Sequence, residues 1–204
     1  MYKKVSLTFF ICLFTILTPI IFFLQYKNFY KSYVDYGAFA SQYSREEIEQ
    51  NFEEFMNFAA VKGSTLDSEF FSNEDILHAY DVRNLFKIVY IIYLICILGI
   101  IILRKDLDLK IIRNAGIINI LVFLLIGFIS ILNFSKSFIL FHKLLFRNDY
   151  WLLDPDTSNL IKYFPQKVFS DIGTYISFFV IISSLLSIGL WIIQRKKSSL
   201  QEDI

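Results

Sequence analysis

The chain has 204 residues, of which 55% are hydrophobic, and its mean hydropathy is +0.52. A soluble domain contains about 45–50% apolar residues, so this composition favours a membrane protein. The formal net charge of +1 gives no sign of a basic surface for a polyanion, so nucleic acid is not an expected partner.

Four apolar segments are long enough to cross a bilayer, whose core requires about 20 apolar residues in a helix. They cover about residues 6–24, 85–103, 113–133 and 173–193. Lipid offers no partner for backbone amides, so each segment is predicted to be helical. No small-residue cleavage site follows the first segment, so we expect an uncleaved helix rather than a signal peptide. The predicted fold class is an all-α integral membrane protein with a single four-helix membrane domain.

Positive charges predict the orientation of these spans. Nine lysines and arginines lie in three short segments: Lys3, Lys4, Arg104, Lys105, Lys110, Arg113, Arg195, Lys196 and Lys197. Short connections rich in such residues stay in the cytoplasm. Both termini are therefore expected to be cytoplasmic, and two larger outer loops, residues 25–84 and 134–172, are expected outside. The first of these carries five basic and eleven acidic residues.

Within the first outer loop, residues 44–60 predict an acidic amphipathic helix. Ile48, Phe52, Phe55 and Ala59 recur at helical spacing, with acids on the other face. We expect this apolar stripe to pack against the helix bundle, with a mobile lid as the alternative.

A second helix is predicted to start at Ser72, because a capping serine is followed three residues later by Asp75. It runs without a break into the second span. Asp75, His78 and Asp81 follow one another at three-residue steps, and Glu74 lies four residues before His78. A carboxylate beside a histidine fixes its tautomer and raises its basicity.

The second outer loop contains FHKLLFRNDYWLLDPDTSNLIKYFP, a stretch rich in charged residues, prolines and aromatics. Phe134, Phe138, Phe141 and Leu145 form an apolar stripe, which predicts a basic amphipathic helix at headgroup level. Asp154-Pro155-Asp156 is then expected to break that helix. Thr157 or Ser158 is expected to cap another short helix before Pro165, and Trp151 suits the interfacial aromatic belt.

The sequence lacks the common motifs of hydrolases, nucleotide-binding proteins and zinc proteases. The chain has no GxSxG, P-loop, GxGxxG or HExxH sequence. Its two cysteines, Cys12 and Cys96, lie inside predicted spans, where a thiol is a poor nucleophile. We interpret them as small buried residues, without a disulfide framework.

The remaining candidates are the two histidines of the chain, His78 and His142, which both fall in outer loops. From the residues alone, three interpretations stay open. Each histidine contacts headgroups or hydrogen-bond partners separately, or both belong to one catalytic site. The third interpretation is a metal site completed by Asp81 or Asp149, although the compact ligand spacing of such sites is missing.

Two motifs carry a resemblance to a known family. They are His78-x-x-Asp81-Val82-Arg83, and Phe141-His142-x-x-x-Phe146-x-Asn148-x-x-Trp151 followed by Asp154-Pro155 and Pro165. Together they resemble the lipoprotein intramolecular transacylase (Lit) family, four-span membrane proteins of Gram-positive bacteria. The resemblance covers the whole chain in topology, while its specific part is confined to these motifs.

The resemblance implies an acyltransferase of the bacterial cell membrane. Such an enzyme moves the sn-2 acyl chain of an S-diacylglyceryl group to the α-amine of the same N-terminal cysteine, which gives the lyso form of the lipoprotein. The expected partners are diacylglyceryl-modified bacterial lipoproteins and membrane lipid, at an active site that faces the outer leaflet. No cofactor or metal is expected.

The resemblance also implies roles for individual residues. His78 and His142 match the two key histidines of the family, and Asp81 is the candidate that orients His78. The expected substrate-binding residues are Arg83, Asn148, Trp151 and Arg147. Arg83 is also a candidate for stabilising the oxyanion. Asp154, Pro155 and Pro165 are expected to be structural.

Two other functions stay open at this point. One is a non-catalytic accessory protein or lipid-binding scaffold whose outer loops bind a partner protein. The other is N-acyl transfer from phospholipid through a cysteine thioester, which the two intramembrane thiols disfavour.

Overall fold

The computed structural model describes residues 2–39, 42–63, 65–67 and 69–202, and this part of the chain is helical, with no β-strand. The α-helices are α1 (Tyr2–Gln25), α2 (Lys27–Lys31), α3 (Arg45–Ala59), α4 (Asn73–Leu103), α5 (Leu109–Leu132), α6 (Phe134–Leu145), α7 (Asn159–Tyr163) and α8 (Gln166–Glu202). Two short 3-10 helices, Tyr36–Phe39 and Arg104–Asp106, complete the elements.

Four of these helices, α1, α4, α5 and α8, are long and apolar enough to cross a membrane. Their apolar segments have mean hydropathies between 2.4 and 2.8. The predicted all-α fold class with four membrane-capable helices is therefore confirmed. As predicted, α4 continues from the polar segment after Ser72 into the apolar segment without interruption.

The chain divides into two compact units. The first contains Met1–Ile20, Ile91–Leu132 and Thr174–Ile204, and the second contains Ile21–Tyr90 and Asn133–Gly173. All residues of the two predicted outer loops belong to the second unit. The first unit holds most of the four apolar segments.

In the first unit, small residues let the helices approach closely, and polar side chains form hydrogen bonds between them. A Cβ atom at Gly116 of α5 would lie 2.9 Å from the backbone oxygen of Ser184 in α8, so only glycine permits this approach. The Cys12 thiol donates to the Ala115 carbonyl at 3.6 Å, and the Asn119 amide donates to the Cys12 carbonyl at 3.5 Å. Cys12 and Cys96 are both buried and unpaired, as predicted.

The core of the second unit is aromatic and is built around α3. A capping box fixes the start of this helix, because the Ser44 hydroxyl accepts from the Glu47 amide and the Glu47 carboxylate accepts from the Ser44 amide. The predicted stripe of Ile48, Phe52, Phe55 and Ala59 is buried.

The α3 stripe packs on the segment around α7. The rings of Phe52 and Tyr163 lie 5.6 Å apart, and those of Phe55 and Phe164 lie 5.0 Å apart. The Tyr163 hydroxyl donates to the Ile48 carbonyl at 2.7 Å. The stripe is therefore packed, but its partners are in the segment around α7 within the second unit and not in the helix bundle that the sequence analysis named.

Two predicted helix caps are present in the second unit. The Asp75 amide donates to the Ser72 hydroxyl at 3.1 Å, and the Ile161 amide donates to the Ser158 hydroxyl at 3.2 Å. Ser158, rather than Thr157, therefore caps α7. The caps fix the first residues of α4 and α7.

Candidate active site

The two histidines lie side by side, although 64 positions separate them in the chain. Their ring centroids are 6.1 Å apart, and their exposed fractions are 8% for His78 and 7% for His142. Both residues belong to the second unit. A shared site for His78 and His142 is therefore geometrically possible, as the family resemblance implies.

Helices α4 and α6 position the two imidazoles. His78 lies in the polar first part of α4, before the apolar segment begins. The Asn133 side chain caps α6 by accepting from the Lys136 amide at 2.9 Å. On α6, His142 is buried, whereas its neighbours Phe141 and Leu144 are 53% and 77% exposed. The helix thus turns its histidine inward and presents apolar side chains outward.

Aromatic side chains surround the imidazoles. The Phe146 ring lies 5.2 Å from His78 and 5.8 Å from His142. The rings of Phe138 and Trp151 lie 4.2 Å and 5.1 Å from His142. Trp151 is at the site, as predicted, whereas the sequence pattern predicted no site role for Phe138 or Phe146. Their positions four residues before and after His142 are the signal that could have found them.

A backbone hydrogen bond fixes the tautomer of His142. Its Nδ1 atom lies 2.7 Å from the carbonyl oxygen of Phe138, and a carbonyl oxygen can only accept. The proton of a neutral His142 ring is therefore assigned to Nδ1, which leaves the Nε2 lone pair available. His142 is thus arranged as a proton acceptor.

His78 has a different environment. Its Nδ1 atom is buried and has no hydrogen-bond partner among the described residues. Burial and, to a smaller extent, the proximity of His142 lower the pKa of His78, the Asp81 carboxylate partly opposes them, and the resulting pKa is about 4. Burial also lowers the pKa of His142, against the opposing effect of the Phe138 carbonyl. Both imidazoles are therefore neutral at pH 7.

Asp81 organises the site through Asn148. Its carboxylate accepts from the Asn148 side-chain amide at 2.8 Å, and the Trp151 indole donates to the Asn148 carbonyl at 2.9 Å. This chain of bonds connects α4 to the indole that packs on His142. Among the described residues, the His78 Nδ1 atom has no hydrogen-bond partner, and the Asp81 carboxylate acts on His78 through its charge, so the orientation of His78 by Asp81 stays a prediction.

The two predicted arginines are not bonded to the histidines. The Arg83 guanidinium donates to the Gly63 carbonyl at 2.5 Å and lies 4.4 Å from the centre of the Phe58 ring. Five helical positions turn a side chain by about 140° from the starting residue, so Arg83 leaves α4 on another face than His78. Arg147 is exposed. Arg83 therefore ties α4 to the turn after α3, where Val61 adopts a positive φ of 64°.

The described part of the chain shows no cluster of three or more His, Cys, Asp or Glu side chains that could hold a metal ion. Asp149, one of the acids considered for such a site, is exposed. Within the described ranges, no acidic side chain therefore joins the histidine pair in such a cluster.

Comparison with known proteins identifies the family. The model of the lipoprotein intramolecular transacylase Lit family matches residues 5–169. This chain belongs to the Lit family. The match includes both histidines and every residue named above for the site.

Solved structures of Lit from Bacillus cereus share the fold. One has a TM-score of 0.81 at 24% identity, and the match covers 98% of this chain and 97% of that chain. Two variants of that protein, with one histidine replaced by arginine or by alanine, have TM-scores of 0.75 and 0.71 at 23% and 22% identity. These matches cover 98% of this chain and 93% and 94% of the variants, respectively.

An uncharacterized protein of Aquifex aeolicus is 26% identical over 130 residues. That match covers 62% of this chain and 58% of the relative, so the chain spans less than two thirds of that protein.

Proposed function

We propose that this chain catalyses intramolecular acyl transfer within bacterial lipoproteins. The sn-2 acyl chain of the S-diacylglyceryl group moves to the α-amine of the same N-terminal cysteine, which leaves the lyso form. The observation that carries this proposal is the buried pair of histidines, with ring centroids 6.1 Å apart, in a Lit family chain. The family name gives the reaction class, and the pair supplies the acid–base groups that the reaction needs.

His142 is proposed as the general base. The α-amine of a peptide has a pKa of about 7.7–8.0 and attacks only when it is neutral. As its nitrogen bonds to the acyl carbon, the amine must lose a proton, which the Nε2 lone pair of His142 can accept. When the bond between the acyl carbon and the glycerol oxygen breaks, the same nitrogen returns the proton to that oxygen.

His78 is proposed to stabilise the oxyanion as a neutral hydrogen-bond donor. Its lowered pKa keeps His78 uncharged. A ring N–H can then donate a hydrogen bond to the carbonyl oxygen of the ester, where negative charge develops in the transition state. The buried and unpartnered Nδ1 atom leaves a polar group of His78 available to a bound substrate. Its low pKa also makes it the weaker base of the two.

The reaction needs no acyl-enzyme intermediate, because the ester and the amine belong to one molecule. Holding two such groups within attacking distance supplies much of the lowering of the barrier. The aromatic rings around the two histidines supply apolar contacts that hold the lipid part of the substrate in place. Asn148 and Trp151 shape this pocket, and Asp81 fixes them to α4.

The two arginines support the site from its periphery. Exposed Arg147 contacts anionic headgroups beside the substrate, and Arg83 contributes through its bond to Gly63. The clustered lysines and arginines of the termini and of the connection at residues 104–113 support cytoplasmic termini and an active site that faces the outer leaflet.

The test is to incubate the purified chain in detergent or nanodiscs with a synthetic S-diacylglyceryl lipopeptide. Tandem mass spectrometry then locates the acyl chains. We expect an unchanged total mass, with one chain moved from the glycerol to the α-amine. An accessory protein or lipid-binding scaffold would leave both chains on the glycerol, and that result would contradict the proposal.

A further inference from the structure

Asp75 is a buried carboxylate that the proposed chemistry does not use. Its exposed fraction is 1%, and it lies in the first turn of α4, one turn before His78. Its Oδ2 atom accepts from the Ser72 amide at 3.3 Å, as in a capping box. A capping box does not require burial, however, so the cap alone leaves the position of Asp75 unexplained.

The start of α7 accounts for the burial. The Ser158 hydroxyl donates to the Oδ1 atom of Asp75 at 2.5 Å, and the Asn159 amide donates to its Oδ2 atom at 3.1 Å. Ser158 is itself 1% exposed, and the Asn159 side chain donates to the Phe70 carbonyl at 2.7 Å. Both oxygens of Asp75 thus bind the connector 83 and 84 positions away. Hydrogen bonds from these donors to a buried carboxylate are strong and directional, so they hold the connector firmly on α4.

The connector that Asp75 holds is also the wall of the histidine site. Ser158 lies seven residues after Trp151, whose ring packs on His142. Between them, the Asp154 carbonyl accepts from the Thr157 and Ser158 amides at 3.2 Å and 2.8 Å, which folds the segment into a tight turn. Asp75, one turn from His78, therefore holds in place the segment whose Trp151 ring forms one wall of the histidine site.

We propose that Asp75 is a positioning residue of the transacylase site. It holds the connector of residues 151–159 on α4, so that the Trp151 wall stays closed over the histidine pair. This inference rests on the proposed function and extends it to a residue outside the pocket. Asp75 touches neither imidazole through a hydrogen bond, because its oxygens are used by Ser72, Ser158 and Asn159.

The experiment compares Asp75→Asn with Glu74→Gln in the full chain. Glu74 is the adjacent acid in the same helical turn, and it is exposed, so it is a matched control for loss of charge. Misplacement of a site by about 1 Å can cost about 100-fold in rate. We therefore expect kcat for lipopeptide transfer to fall by roughly 10–100-fold in Asp75→Asn, with KM within about threefold of its normal value. Glu74→Gln should retain kcat.

A second pair of variants covers the case in which Asp75→Asn does not fold. Ser158→Ala removes the hydroxyl that donates to Asp75, whereas Ser158→Thr keeps it. Ser158→Ala should show the same loss of kcat, and Ser158→Thr should restore most of it. A change of general stability alone would not separate these two substitutions in kcat.

Trp151 gives a readout that does not depend on turnover. In a Trp191→Phe background, fluorescence reports Trp151 alone, because the chain has two tryptophans. Acrylamide should quench this indole more strongly in the Asp75→Asn and Ser158→Ala variants, at temperatures well below unfolding. In the Glu74→Gln variant the quenching should be unchanged.

The possible results separate the two proposals. A normal kcat in folded Asp75→Asn and Ser158→Ala variants, or a loss confined to KM, would overturn the role of Asp75. An inactive unmodified chain would instead overturn the proposed function, and the Trp151 quenching would still show whether Asp75 holds the connector.

Discussion

At the scale of single residues, the site separates the roles of two identical side chains through their surroundings. His142 gains a fixed tautomer from a backbone carbonyl, while His78 is left with a buried nitrogen and a pKa of about 4. One imidazole is therefore suited to accept a proton, and the other is suited to remain neutral. The division follows from burial and hydrogen bonding, not from a difference in residue type.

Replacement of either histidine should disable the reaction. General acid–base catalysis contributes about 10²–10⁴-fold in rate, so we expect His78→Ala and His142→Ala each to slow lyso-lipoprotein formation by a factor in that range. The double variant should be far less than multiplicatively worse, because residues that act as a unit lose their effect together. The rate of acyl migration, measured by mass spectrometry, checks this. Near-normal activity of either single variant would contradict the shared site.

The dependence of activity on pH should reflect the substrate amine. Because burial lowers the pKa of both histidines, below that of the substrate amine, kcat/KM should rise as pH increases towards about 8 and the amine loses its proton. A lipopeptide with a less basic amine should shift this rise to lower pH by the same amount. If kcat/KM rises over the same pH range with such a substrate, the titrating group belongs to the enzyme and not to the substrate amine.

The lowered pKa of His78 also affects folding. Between about pH 4 and 6.5 the unfolded chain binds more protons at this residue than the folded chain. The contribution of His78 to stability is therefore present above pH 6.5 and is lost as pH falls towards 4.

At the scale of elements, α3 and α7 form the core on which the histidine site rests. Tyr163, whose exposed fraction is 0%, connects them through its hydroxyl bond to Ile48 and its ring contact with Phe52. Truncation in this core should act on stability first and on activity only through it.

We expect Phe52→Ala to destabilise the chain by about 3–5 kcal/mol, because it empties a fully buried aromatic position. The matched control is Glu46→Ala on the exposed face of the same helix, which should change stability by less than about 0.5 kcal/mol. Thermal unfolding in detergent, followed by circular dichroism, measures both. An equal shift in both variants would show that the α3 stripe contributes nothing specific.

At the scale of the whole molecule, the orientation in the membrane remains a prediction from charge. A cysteine introduced at Ser64, a position outside the described residues, should react with an impermeant thiol reagent in intact cells. One introduced at Ser198 should react only after the membrane is opened. The background carries Cys12→Ala and Cys96→Ala, which should also retain activity because no thiol takes part. Labelling in the reverse pattern would place the site at the inner leaflet.

The fold was predictable because lipid cannot form hydrogen bonds with the backbone, so a long apolar segment in a membrane adopts a helix. The helix caps at Ser72 and Ser158 and the α3 stripe were likewise predictable, since they depend on neighbours a few positions away. The histidine pair was predictable only through the family motifs. The contact of Arg83 with Gly63 and the bond of Asp75 to Ser158 were not, because they depend on how distant segments meet in space.

The hydrogen bond between His142 and the Phe138 carbonyl has a consequence for mutational robustness. In a catalytic triad, an acidic side chain orients the histidine, and a single substitution can reverse its tautomer. Here the orienting acceptor is the main chain of α6 itself, so every amino acid at position 138 supplies the same oxygen. Substitution there can alter the packing of the ring, but it leaves the acceptor in place. The protonation pattern of His142 is thus encoded by the helix and not by any one side chain.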